Sequence, residues 1–370
     1  MKQKARIRFT NKDRSKFFTT LKANVDSYFE ENKLSKHANA HMVWKTIILI
    51  SGFLLPYFTL LLIHENAWQL LLSFSVMGFC MAGIGMSVMH DAAHNAYTSN
   101  ATLNRYLSYS LNLIGGAVFN WKIQHNVLHH TYTNIHGMDD DIDSKMLMRF
   151  SPHGKHRGIH RFQHIYIFFF YSIITLYWVT FKDFIQYVTF RKNGMNRGSA
   201  AEHRKNLFIL IASKAIYYFY LLVVPLVFFH YSVGIFVCGF ITMHLICGLI
   251  LSVIFQLAHT VEGTSYPVPN EKSEVENDWA IHQMHTTVDF ARDNKFITWY
   301  IGGLNFQVEH HLFPNICHVH YKNLAPIVKS TAEEFGIPYL DNPSFGDAVA
   351  SHLRALKKFG MSTEEALMAV

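Results

Sequence analysis

Seven histidines fall into three short runs: His90-Asp-Ala-Ala-His94, His125-Asn-Val-Leu-His129-His130 and Gln307-Val-Glu-His310-His311. Each run lies beside a long apolar stretch, not inside one. Neutral imidazole suits iron, copper, zinc and nickel. Seven imidazoles and a glutamine exceed what one tetrahedral zinc can use. Two iron ions could use them all, so these residues read as a membrane-embedded oxidase centre with histidine-ligated di-iron.

The spacings carry geometry. His90 and His94 stand four apart, which on an α-helix places both rings on one face. His125 and His129 repeat that spacing, and His130 is expected about 100° away, towards a second ion. His310 and His311 are expected to diverge in the same way. One such pair is ordinarily two satisfied surface histidines; three runs together change the reading. Neutral rings bring no charge to divalent ions, so carboxylates are expected to compensate and to hold ring tautomers. Asp91, Glu309 and the acidic run from Asp139 to Asp143, with Asp140 and Asp143 singled out, are the candidates; the run could equally be a solvated loop. The Glu-x-x-His pairs of soluble di-iron bundles and the His-Glu-x-x-His of zinc proteases are both missing from the sequence.

These runs need elements that bring them to one level. Half of the 370 residues are apolar and only 16% are charged, with 31 phenylalanines and 18 tyrosines. Four segments are long and apolar enough to span a bilayer: 46–63, 70–89, 207–229 and 233–258. Their short connections, around His64–Trp68 and His230–Ser232, lack lysine and arginine, whereas the flanks carry many, among them Lys2, Lys4, Arg6, Arg8, Lys12, Arg14 and Lys16. The positive-inside rule then puts both termini and all three histidine runs at the cytoplasmic face. The amino-terminal charge reads as orientation, not as a nucleic-acid site, and no signal peptide precedes the first span. The segments 106–118 and 165–180 are apolar too. The first is too short to span. A single crossing at the second would separate the histidine runs, so both are expected to be re-entrant or interfacial.

The expected fold is therefore all-α: a four-span helical stem with a cytoplasmic helical cap holding the histidine site. Residues 1–44 form a basic amino-terminal segment, 45–359 one domain, and 360–370 a tail. Within it, 347–359 reads as an amphipathic helix with Asp347 as N-cap. Cys80, Cys238 and Cys247 lie in apolar segments and Cys317 near the third run; no Cys-x-x-Cys exists, so no disulfide frame or thiolate site is indicated.

The three runs, with Thr131-Tyr-Thr-Asn134 after the second and Gly303-Leu-Asn-Phe306 before the third, resemble the histidine boxes of membrane fatty acid desaturases. The glutamine opening the third box is similar to the front-end branch, which acts between an existing double bond and the carboxyl end. The resemblance implies metal ligation by His90, His94, His125, His129, His130, His310 and His311, and by His259 at the end of the fourth span. Gln307 stands where other branches place a histidine, as a ligand or through a water. It implies two ferrous ions, O2 as co-substrate, and a fatty acyl substrate linked to coenzyme A or a membrane lipid. The haem motif His-Pro-Gly-Gly of fused cytochromes is not in the sequence. Electrons are therefore expected from a separate ferredoxin or free cytochrome, at what would be a cell inner membrane.

The implied reaction removes two hydrogens from adjacent methylenes to leave a cis double bond. Selectivity would then come from a bent apolar tunnel, for which Asn120, Trp121 and Phe306 are candidates, with core packing as the other account of each. Lys155, Arg157 and Arg161 could meet a head-group phosphate. His282 and His285 are read as satisfied residues near the site. A hydroxylase or ketolase on the same scaffold is the nearest alternative. A non-enzymatic metal or haem membrane protein is more distant, because it would place histidines at mid-membrane.

Overall fold

A computed structural model describes residues 7–11, 15–63, 66–142, 146–196, 198–229 and 231–361. Asp143, several of the amino-terminal charges, His64, His230 and most of the 360–370 tail lie outside the described residues. The chain forms two compact units, one of Ala38–Ile123 with Phe168–Val253 and the other of Lys4–His37, Gln124–Ile167 and Ile254–Val370.

The first unit is helical. Ala40–Leu62 starts at Asn39, whose side chain accepts from the Met42 amide, and Ala67–Gly83 starts at a capping box in which Asn66 and Gln69 satisfy each other's backbone groups. These caps extend the expected spans outward. Among the described residues, five helical runs are long and apolar enough to cross a membrane: Ala40–Leu62, Ala67–Ala93, Gly158–Lys192, Ala200–Phe228 and Val233–His259. Four were expected. The additional one contains 165–180, which continues through a π-helical turn at Trp178–Lys182 into Asp183–Lys192. The Asp183 carboxylate at the start of this extension is satisfied internally, by Lys214 and by the Trp178 indole.

Small residues let these helices approach closely, the usual source of affinity between helices in lipid. A Cβ at Gly78 would lie 2.5 Å from the Met243 carbonyl oxygen, and one at Gly248 would overlap the Ser172 carbonyl. Gly239 likewise faces Phe74, and Gly85 faces Leu251. The pairs 74–239, 78–243 and 85–251 rise together, so helices 67–93 and 233–259 lie side by side in the same direction.

The second unit is built on a stripe the sequence reading left inside its basic segment. Phe17, Leu21, Val25 and Phe29 recur every four residues along the helix Phe17–Glu31 and are all buried, against Tyr321, Leu324 and Val328 of the helix Tyr321–Glu334. Burying each contributes about 1.5–3 kcal/mol. Phe306 belongs to the same cluster, so this tunnel candidate is a core residue. Two short parallel strand pairs complete the unit, Arg8–Thr10 with Glu274–Glu276 and Asp289–Phe290 with Asp341–Asn342, a small departure from all-α. The last helix is Phe345–Gly360, capped by Ser344, whose hydroxyl oxygen accepts from the Asp347 amide. Asp347 thus sits in the first turn and Ser344 takes the N-cap expected of it. Arg149 closes this end, donating to the carbonyls of Gly154 and Phe359.

Candidate metal centre

In the first unit, the helix His90–Ala93 follows a π-helical turn at Ile84–Met89. The rings of His90 and His94 meet at 4.8 Å, centroid to centroid, as their spacing predicts. Trp121 lies edge-on to both, at 5.7 and 5.9 Å. Asp91 Oδ1 is 3.9 Å from His90 Nδ1.

In the second unit, His125 and His129 lie on a π-helical turn, Ile123–His129. The wider turn closes bonds from i to i+5, and such turns recur at functional sites. The i, i+4 pair His125 and His129 stacks at 5.2 Å. His125 Nε2 lies 3.3 Å from Nε2 of His130, five residues on, instead of the two diverging. His129 joins His259 and His311, and a nitrogen from each of the three lies within 4.8 Å of the others. His310 stacks on His125 at 5.9 Å and meets His130 edge-on at 4.6 Å.

The Nδ1 atoms of four of the second unit's rings are engaged. His129 Nδ1 donates to Asp139 Oδ2 at 3.0 Å, His259 Nδ1 to the Thr286 carbonyl at 3.3 Å, and His311 Nδ1 to Gln283 Oε1 at 2.8 Å. His310 Nδ1 lies 3.2 Å from the Tyr321 hydroxyl. Fixing Nδ1 leaves Nε2 to point inward. The Nε2 atoms of His129 and His259, and Oε1 of Gln307, are buried with no hydrogen-bond partner among the described residues. Orphaned buried acceptors are costly, and a bound cation removes that cost. The donor set of neutral imidazoles, each oriented through its outer nitrogen, fits a first-row transition metal such as iron. Burial lowers the affinity of His129 for a proton, but the charges of Asp139 and Asp141 and the Asp139 hydrogen bond outweigh it and leave the pKa raised.

The carboxylates differ from expectation. Asp139 holds His129, and Asp141 lies 3.8 Å from His125 Nδ1 while accepting from Gln124. Asp140 is half-buried beside them. The Tyr339 hydroxyl lies 2.9 Å from Glu309 Oε1 and 2.6 Å from Asp289 Oδ2. Burial and the neighbouring Asp289 push the Glu309 pKa well up. Asp289 itself is pushed to about 6 by burial, against the hydrogen bonds it accepts.

Gln283 was missed in sequence. Its Oε1 accepts from Thr133 at 2.8 Å as well as from His311, and its amide donates to the His130 carbonyl at 3.2 Å. The available signal was its place between His282 and His285, which drew the attention instead. His282 is buried beside Phe9 and His285 is half-buried. Asn120 is bonded to Asp183, at 2.7 Å from its carbonyl.

The model of the family described as fatty acid desaturase matches residues 66–343, which include all three runs. The chain belongs to the fatty acid desaturase family. It is 36% identical over 365 residues to a sn-1 linoleoyl-lipid 6-desaturase of Synechocystis sp., covering 97% of this chain and 99% of that one. It is 35% identical to a protein of the same name from Arthrospira platensis, over 94% of each chain. It is 33% identical to an acyl-lipid (8-3)-desaturase of Physcomitrium patens, over 97% of this chain and 75% of that one. This desaturase is an oxidoreductase acting on fatty acyl chains, a membrane protein whose substrate is a lipid.

Proposed function

We propose that this desaturase inserts a cis double bond into an acyl chain carried on a membrane lipid, on the carboxyl side of an existing double bond, using O2 and two electrons from a separate donor protein. The relatives named for lipid-linked substrates support the carrier, and Gln307 at the head of the third box supports the front-end position. The metal ligands proposed are His90, His94, His125, His129, His130, His259, His310 and His311, with Gln307 direct or through water. The observation that carries this reading is the orphaned, buried Nε2 of His129 and of His259, with the Nδ1 of each ring engaged.

Two iron ions held there would supply the oxidising power that unactivated methylenes require. The chain's own residues orient and insulate. Asp139, Gln283, the Thr286 carbonyl and Tyr321 fix the ring planes, and the burial of the imidazoles keeps water from them.

The topology proposed is four crossings with both termini and the histidines cytoplasmic. The same-direction packing of helices 67–93 and 233–259 supports it. Two such neighbours are joined through an odd number of net crossings. Only one of 158–192 and 200–228 then crosses, and the tight link from 228 to 233 favours the second. The run 158–192 enters and returns without a net crossing.

The test is a fatty-acid profile of a desaturase-poor bacterium expressing the chain, supplied with saturated and unsaturated acids, with His310→Ala as control. A new cis bond, located by mass spectrometry and lost in the control, is the expected result. Hydroxylated acids in place of new double bonds would overturn the reading.

A further inference from the structure

We propose that the buried ion pair of Asp183 and Lys214 is a positioning device that fixes Trp121 against His90 and His94, and so sets which methylenes of the acyl chain are presented for reaction. The proposal rests on the reading of His90 and His94 as metal ligands.

Lys214 Nζ lies 2.6 Å from Asp183 Oδ2, and neither side chain is more than 5% exposed. Lys214 sits inside the apolar helix Ala200–Phe228, where an ionised residue is costly and marks function more often than packing. An apolar pair of the same volume would stabilise the helices at least as well. What the charges add is a set of directed bonds, and these converge on one segment.

Lys214 also donates to the carbonyl of Gly115, and Asn120 donates from Nδ2 to the Asp183 carbonyl at 2.7 Å. The Trp178 indole fills the remaining side of the Asp183 carboxylate at 3.0 Å. Residues 115–120 are thus pinned at both ends. Gly115 has φ +90°, and a Cβ there would lie 2.8 Å from Val179 and 3.0 Å from Tyr217, so the anchor admits no other residue without movement. Asn120 and Trp121 are successive on the helix Val118–Lys122 and point about 100° apart. One reaches Asp183, at 2.7 Å from its backbone carbonyl and 3.4 Å from its carboxylate, and the other stands edge-on to both imidazoles. A rigid indole beside the ligands is a fixed wall from which distance along a featureless chain can be measured.

Three proteins test this beside the wild type: Asp183→Asn with Lys214→Met, Asn120→Leu, and His90→Ala. The double variant removes the pair without stranding one buried charge, and Asn120→Leu cuts the link while leaving the pair intact. Iron per purified protein and double-bond position by mass spectrometry are the readouts. Both clamp variants are expected to retain iron while losing up to about a hundredfold in turnover, with products shifted to neighbouring carbons. Unchanged bond position at full iron content would overturn the proposal. So would loss of iron in the double variant, which would make the pair a support of the fold alone. His90→Ala reports separately on the ligand reading, by whether iron is lost.

Discussion

Asp139 Oδ2 accepts from His129 Nδ1 at 3.0 Å and from the Asn134 amide at 3.0 Å, with the Asp139 and His129 side chains fully buried. One carboxylate oxygen thereby ties a ring at the end of the second histidine run to the turn that follows it. Replacing Asp139 with Asn keeps the shape but removes the charge that holds the tautomer. Iron affinity is expected to fall by about 10- to 100-fold, read as iron retained by purified protein after dialysis against a graded chelator.

Gln283 links His311, Thr133 and the His130 carbonyl. Gln283→Leu removes its bond to each, leaves His311 Nδ1 without this acceptor, and is expected to cut desaturation by about 10- to 100-fold. Gln283→Glu keeps the acceptor and loses the donor, so it should fall between. Product yield per unit of membrane protein ranks the three, and equal yields would dismiss the role.

Glu309 is bonded to Tyr339, and burial and the neighbouring Asp289 push its pKa well up. Glu309→Gln is therefore expected to leave iron loading intact. If the carboxylate instead compensated the charge of the metals, the same substitution would release iron, and metal analysis of the purified variant separates the two.

Acid should destabilise the second unit. His352, bonded through Nδ1 to the Thr260 carbonyl at 2.6 Å, is pushed down to about 4 by burial, and so is His282. Unfolded, each titrates near 6.5. A depressed folded pKa means that their contribution to stability is complete above about 6.5 and is lost as pH falls from there towards 4. Melting temperature in detergent should drop across that window, and His352→Gln should flatten the decline.

Gly248→Ala drives a methyl group into the Ser172 carbonyl, where no side chain can swing aside. Such overpacking costs about 1–3 kcal/mol. A lower melting temperature at unchanged sequence elsewhere is the expected result, while Gly234→Ala, with open space around it, serves as the neutral comparison.

Much of this was legible along the chain. The three histidine runs, His259 closing the helix Val233–His259 and the four strong apolar segments are local patterns, because ligand spacing and hydropathy depend on near neighbours. The family follows from the same residues. The stripe of Phe17, Leu21, Val25 and Phe29 was also legible, though the surrounding lysines hid it.

Tertiary structure decided the rest. Whether His125 partners His129 or His130 depends on a π-helical turn, which no spacing rule announces because one inserted residue's worth of rotation costs little once packing supports it. Which aspartate of the run from Asp139 to Asp143 reaches a ring depends on the path of a turn. Glu309 and Asp289 are twenty residues apart, and only their burial against each other pushes both pKa values up. Asp183 and Lys214 lie in different helical runs, and each is kept inside its own by a partner thirty-one residues away. Sequence determines which groups are available, but desolvation and pairing depend on distances that only the folded chain fixes.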